Sequence, residues 1–419
     1  MSNLMERHLS GRAARALAYS PVLIIEGARQ VGKSTLATML AGSRSAATVT
    51  LDDAAVRAAI DDDRDGFVEH TVEDMLVIDE IQRLPELTLA IKAAVDRDRR
   101  PGRFLLTGSS SLLRVRGLAD SLAGRAIRLR LWGFSQGEIE GRMDDFVTAV
   151  TSLPNEALTT FSSDLTRADY AERVTRGSYP IATALPERER RDWLDSYLDT
   201  LLRRDLPALR RGFDAARAIA LLRVLAANQS GELVKARLAS DIGMPVTTVT
   251  TYLDLLSDIG LFTTLRPWTP NLTSREIGRP KGLVADSGLA ARLTRVTASR
   301  LQELSYAPAF GSLLEGFVAA ELLKQRGWSG SEFELFHYRN RQGREVDLIC
   351  ELDDGRIIAI EVKAASSFQR SHVKNLAPLR DALGDRFLAG IVLGTGQRSA
   401  YLGRRLYGLP ISALWKLGD

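Results

Sequence analysis

Short apolar runs bounded by turn residues recur through the first third of the chain, at 22–26, 48–51, 75–78, 103–107 and 127–131. Each is too short to bury a helical stripe and rich enough in Val, Ile and Leu to read as a strand. Between them, apolar positions recur at helical spacing. Strand alternating with helix predicts an α/β fold with a mainly parallel, doubly wound sheet whose ligands bind at the strand C-terminal ends. Ser135, three residues before Glu138, has the spacing of a capping box that opens a further helix.

Beyond residue 150 the pattern changes. A Ser/Thr/Pro-containing stretch at 151–163 reads as a linker. From 167 to 211 the spacing is helical, with Trp193, Tyr197, Leu201 and Leu202 on the apolar side, and predicts a helical lid. Three short helices at 216–227, 233–242 and 246–259, then a strand at 260–265, follow the order of a winged helix-turn-helix. In the recognition-helix position, Val246, Val249, Leu253, Leu256 and Ile259 share one face and leave Thr247, Thr248, Thr250, Thr251 and Asp254 exposed. Threonine can touch thymine methyls or phosphates, but strong base readers carry bidentate Arg, Asn or Gln. Lys235 and Arg237 add little, so DNA contact and a structural or protein-binding wing both stay open. The expected division is an ATPase-like domain at 1–150, a lid at 151–215, a winged helix at 216–295 and a last α/β domain at 296–419.

At 419 residues the chain is too long for one core. With 45% hydrophobic and 26% charged residues it reads as globular. The lone Cys350 excludes disulfides within the chain and suits a reducing compartment, and His8, His70, His337 and His372 have no zinc spacing. No apolar run approaches the ~20 residues that span a bilayer, and no signal-peptide core is present, so a cytoplasmic location without membrane contact is expected. The net charge of +4 permits nucleic acid without demanding it. Arginine clusters at 99–100, 188–191, 203–204 and 210–211 read as solvated helix faces unless they converge on one surface.

The chemistry lies in two places. After the first strand comes Gly27-Ala28-Arg29-Gln30-Val31-Gly32-Lys33-Ser34-Thr35, a GxxxxGK[ST] loop leading into a helix. Its glycines let backbone N–H groups converge on phosphates at the positive end of the helix dipole. Lys33 is the candidate for the β- and γ-phosphates, Ser34 for Mg²⁺ and Thr35 for the neighbourhood of the α-phosphate. The strand 75–78 ends in Asp79-Glu80, where Asp79 suits the metal shell and Glu80 the general base.

Near the C-terminus, apolar strands around Asp347 and Glu361-Val362-Lys363 flank Asp353-Asp354-Gly355, a hairpin signal. Asp347, Glu361 and Lys363 are candidates for metal-assisted phosphodiester hydrolysis, with Glu315 on the preceding helix completing the metal shell. The register decides this. A two-residue loop at Asp354-Gly355 would set Asp347 opposite Val362, on the wrong face, so a catalytic arrangement needs a three-residue loop or a bulge. The pattern Asp…Glu-x-Lys resembles the PD-(D/E)xK nuclease fold.

The phosphate loop, the stretch 79–87 that opens on Asp79-Glu80, the stretch 105–110, Leu122-Ala123-Gly124-Arg125, the run Ala285–Leu289 and the C-terminal tail together resemble bacterial and archaeal AAA-type ATPases whose C-terminal domain is commonly labelled as of unknown function. The resemblance implies ATP and Mg²⁺ as ligands and a sensor residue at the end of the fourth strand, where Thr107 and Ser109 stand. It also implies an arginine finger, for which Arg125 is the candidate; a finger acting in trans requires a homo-oligomer. The expected activity is Mg²⁺-dependent ATP hydrolysis that moves a DNA-associated, nuclease-like C-terminal half. The rival reading is a nucleotide-gated switch or binding module for protein or DNA without nuclease activity. A metabolite kinase would need an acceptor site that the sequence does not suggest.

Overall fold

The computed structural model describes residues 5–42, 44–69, 73–109, 122–209, 212–340 and 342–418. His70, Ser110 and the pair Arg210-Arg211 lie outside them. The chain divides into two units, Met1–Phe134 with Leu256–Leu261, and Ser135–Leu255 with Phe262–Asp419.

In the first unit β1 (Val22–Glu26), β2 (Ala46–Thr50), β3 (Met75–Asp79), β4 (Phe104–Gly108) and β5 (Ala126–Arg130) form one parallel sheet in the order β2-β3-β4-β1-β5. All five coincide with the apolar runs to within two residues. The central strands β1 and β4 are buried at every position, as a sheet covered on both faces requires. Ile24, Ile78 and Leu106 pack with Ile81, Leu87, Ile91 and Val95, whereas the alternate residues Leu23, Ile25, Val77 and Leu105 are equally buried. The helix Lys33–Ala41 lies against β1, β3 and β4. Because β4 is inserted between β1 and β3, Thr107, next to its last residue, falls between the phosphate loop and the acidic end of β3.

The second unit opens on the helix Gln136–Glu140, capped by Ser135 and Glu138 in the reciprocal manner their spacing predicts. The stretch 151–163 is not a free linker. It contains the helix Asn155–Thr160, and Ser163 donates its backbone N–H to Gln397 while its hydroxyl meets that of Ser412 at 2.7 Å. Its Ser, Thr and Asn side chains, which suggested a loop, act as local hydrogen-bonding groups instead. The helices Ala215–Ala227, Lys235–Ile242 and Val246–Asp258 precede an antiparallel pair, β6 (Phe262–Leu265) and β7 (Lys281–Val284). Val249, Leu253, Leu256 and Ile259 are buried as expected, but Val246 is exposed, and Tyr252 takes a buried place the pattern did not assign.

After the helix Ala307–Gln325 come β8 (Phe333–Arg339), β9 (Glu345–Leu352), β10 (Ile357–Lys363), β11 (Phe387–Gly394), β12 (Ala400–Gly403) and β13 (Leu406–Pro410). They form a six-stranded sheet ordered β12-β13-β11-β10-β9-β8, with the helix Leu376–Leu383 crossing between the parallel strands β10 and β11. No helix among the described residues is long and apolar enough to cross a membrane.

Candidate functional site

The loop after β1 is shaped by close approach. A Cβ on Gly27 would stand 2.3 Å from the Leu131 carbonyl oxygen, so only glycine fits there. Gly32, at φ 93°, makes the left-handed turn that starts the helix Lys33–Ala41. Sequence reasoning missed Arg7. Its guanidinium is buried and donates to the carbonyls of Val31 and Trp132, each at 2.7 Å, tying the loop to the segment after β5. An isolated basic residue ahead of the motif carries no pattern that would reveal this.

Lys33 is 5% exposed, and its ammonium donates to the Ala28 carbonyl at 3.0 Å. Burial lowers its pKa, opposed in part by Glu80 and Asp79. The Ser34 hydroxyl lies 3.0 Å from both carboxylate oxygens of Asp79, and the Thr107 hydroxyl donates to the same carboxylate. Glu80 adopts a left-handed backbone, φ 58°, unusual for a residue with a side chain. Its N–H points to the Thr107 hydroxyl at 3.4 Å, and the Gln82 amide donates to its carboxylate. Gln82 Oε1 in turn accepts from the Ser109 backbone N–H at 3.4 Å. Gln82 therefore joins Glu80 to Ser109, a link that sequence did not suggest: Gln82 lies in the stretch that follows Asp79-Glu80, but nothing in that stretch says which side chain it meets.

An oligophosphate with a divalent cation fits these residues. The glycine-lined loop offers backbone N–H groups and a buried ammonium that donates to a carbonyl, and a hydroxyl and a carboxylate stand together beside it.

Arg125 does not join them. It lies just before β5, whose first residue Ala126 pairs with Val22 at the start of β1, so it stands at the end of the sheet away from the phosphate loop. Its guanidinium forks onto Asp96 at 2.7 and 2.9 Å. A five-residue strand spans about 16 Å, too far for Arg125 to stand beside a γ-phosphate in its own chain.

The C-terminal hairpin has the register that a shared face requires. Ile357 pairs with Glu351 and Ile360 with Leu348, so the loop is the three-residue Asp353-Asp354-Gly355 and Asp347 falls opposite Glu361. Gly355, at φ 78°, supplies the left-handed residue of such a loop. Lys363 Nζ is 2.6 Å from Glu361 and 3.7 Å from Asp347, and Asp347 accepts the Val362 N–H at 2.8 Å. Glu361 is buried, and its Oε1 has no hydrogen-bond partner among the described residues. Burial and the nearby Asp347 push its pKa up to about 7.

Glu315 behaves differently from expectation. The ammonium of Lys281, at the start of β7, lies 2.7 Å from Glu315 and 2.7 Å from Glu345. Burial and Asp347 push Glu315 up to about 8, against the pull of Lys281. Among the described residues no three carboxylate, histidine or cysteine side chains are grouped to hold a metal ion. The divalent ion that the nuclease resemblance implies for Asp347, Glu361 and Glu315 does not fit, because lysine ammoniums already occupy the space between the carboxylates.

Residues 19–140, nearly all of which lie in the first unit, match a family model described as an AAA domain. Residues 167–300 and 310–414 match two models described as domains of unknown function. The chain belongs to the same family as the uncharacterised protein Rv2008c of Mycobacterium tuberculosis, with 30% identity over 393 residues, 92% of this chain and 79% of the relative. The uncharacterised protein Mb2031c of Mycobacterium bovis matches to the same extent. Among solved structures, the Walker-type ATPase of Pyrococcus abyssi is similar at a TM-score of 0.44 and 15% identity, over 70% of this chain and 96% of that one.

Proposed function

We propose that this protein hydrolyses ATP with Mg²⁺ in its first unit and uses the cycle to change the conformation of its C-terminal half. The observation that carries the reading is the meeting of Ser34, Asp79, Thr107 and Glu80 at the C-terminal ends of β1, β3 and β4. Gly27 to Thr35 hold the phosphates, with Lys33 on the β- and γ-phosphates. Ser34 and Asp79 hold the Mg²⁺, which when bound neutralises charge on the phosphate oxygens. Glu80 takes the proton of the attacking water, and Thr107 and Ser109 report on that position from the end of β4. Gln82 keeps the Glu80 carboxylate turned toward the Ser109 backbone until nucleotide arrives.

The C-terminal half comprises a helical lid at 151–215, a winged helix at 216–295 and a nuclease-like domain at 296–419. Three helices followed by the β6–β7 pair support the winged helix, and this supports DNA as a partner. The occupied carboxylate cluster favours the rival reading for the tail, a nucleotide-gated switch or binding module without nuclease activity. Steady-state ATPase rates with and without DNA, run beside a supercoiled-plasmid nicking assay in Mg²⁺ or Mn²⁺, test both parts. The reading expects ATP turnover, lost in Lys33→Ala, and no nicking. Absence of turnover in wild type refutes the first part, and nicking that disappears in Asp347→Ala refutes the second.

A further inference from the structure

Lys281 is 2% exposed, yet its ammonium meets carboxylates from two separate elements, Glu315 on the helix Ala307–Gln325 and Glu345 on β9, each at 2.7 Å. Asp347 projects from the same face of β9 as Glu345, two residues on. Next to it Glu361 carries a buried carboxylate oxygen with no partner among the described residues. Four carboxylates, those of Glu315, Glu345, Asp347 and Glu361, thus share two lysine ammoniums, Lys281 and Lys363. Arg339 adds one more cation at the edge, 3.9 Å from Glu345 and 3.2 Å from Glu232. A desolvated group of acids with this excess of negative charge holds a cation of some kind or takes up protons.

The choice of lysine matters. It begins β7, which pairs with β6, and a bridge to Glu232 lies on its other side. The residue therefore comes from the winged-helix segment, while the acids belong to the helix and sheet of the tail. An ammonium holds carboxylate oxygens near 2.7 Å, whereas Mg²⁺ draws them to about 2.0–2.1 Å and needs near-octahedral geometry.

We propose that Lys281 is the resident cation of this cluster: it takes the place of a divalent ion among Glu315, Glu345 and Asp347, fastens the β6–β7 pair to the six-stranded sheet, and masks a latent divalent-cation site. This rests on the reading of the tail as a module without metal-dependent cleavage, and it supplies the reason. With Lys281 replaced by an uncharged residue, four carboxylates face one ammonium, and their oxygens become available to Mn²⁺ or Mg²⁺.

The test is a Mn²⁺ titration of the full chain without nucleotide, counting bound ions from the loss of the free-ion electron paramagnetic resonance signal. Wild type, Asp347→Asn, Lys281→Met and the double variant K281M/D347N are compared, with ATPase rates measured on the same preparations. Lys281→Met is expected to bind one Mn²⁺ per chain more than wild type and to lose it in the double variant, while wild type and Asp347→Asn bind alike. If Lys281→Met does not fold, Lys281→Gln keeps a donor for Glu315 and takes its place. Equal Mn²⁺ stoichiometry in wild type and a folded Lys281 variant overturns the proposal. So does Mn²⁺ bound by wild type and lost in Asp347→Asn, a comparison that needs no Lys281 variant. Failure of ATP turnover would strike the nucleotide reading alone, since Mn²⁺ binding here is scored without ATP.

Discussion

Replacing Lys33 by methionine separates the cost of a buried charge from its use. In the nucleotide-free protein the ammonium is buried and hydrogen-bonded to Ala28, and burial lowers its pKa. Losing that bond costs about 1.5–3 kcal/mol, but removing a desolvated charge returns several kcal/mol, diminished by the lost attraction to Glu80 and Asp79. Methionine fills a similar volume. The nucleotide-free variant should therefore unfold within about 2 kcal/mol of wild type. The sign of the pH dependence follows. A lysine whose folded pKa is depressed makes the unfolded chain bind more protons in the window below its ordinary value, so wild-type stability rises with pH there and the methionine variant loses that rise. With ATP and Mg²⁺ at a hundred times Kd, wild type gains about 2.7 kcal/mol, or about 3 °C in Tm if the whole chain unfolds together, and the variant gains almost nothing. Thermal unfolding with and without ATP, repeated across pH, reads all three. A variant that is badly destabilised without nucleotide, or one that keeps the ATP-dependent shift, refutes the reasoning.

Glu80→Gln should bind ATP as wild type does but turn it over at least tenfold more slowly, as separate binding and turnover assays would show; equal loss of binding in Glu80→Gln and Lys33→Ala would remove the division of roles. Gln82→Ala should change kcat with little effect on nucleotide affinity, because Gln82 contacts Glu80 and Ser109 and not the loop; a change confined to affinity would contradict this. Arg125→Ala should leave ATPase activity per chain within about twofold over a range of protein concentrations, since Arg125 is engaged by Asp96 at the far end of the sheet; a large loss would restore a role in trans. His337 is buried and its pKa is pushed down to about 4, by burial first and by Lys281 second, so the fold holds it neutral. Between its ordinary value and 4 the unfolded chain binds the extra proton, and stability drops by up to about 3 kcal/mol as the pH is lowered through that window. Denaturant unfolding from pH 7 to 4 should therefore be flatter for His337→Gln, and equal slopes would exclude His337 as the source.

Sequence alone determined the elements whose cause is local. Five parallel strands announce themselves as short apolar runs, and the Ser135–Glu138 capping box is written in two side chains three residues apart. The phosphate loop and the Asp79-Glu80 strand end were legible because backbone geometry and phosphate chemistry both constrain a contiguous stretch of residues. The hairpin was half legible: the pattern stated which loop would align Asp347 with Glu361, and the fold adopts that three-residue loop. What tertiary structure decided was which distant side chains meet. Arg125 sits next to the strand it introduces, but only the parallel direction of that strand reveals that it stands at the wrong end of the sheet. Arg7 and Lys281 carry no motif and Gln82 no assigned role, and each meets groups brought to it by strand order or by packing: Val31 for Arg7, Ser109 for Gln82 and Glu315 for Lys281. Lys281 shows the reason most clearly. Whether a set of carboxylates takes a metal ion or an ammonium depends on which cations the fold brings among them, and Lys281 lies 34 positions before Glu315 in the chain.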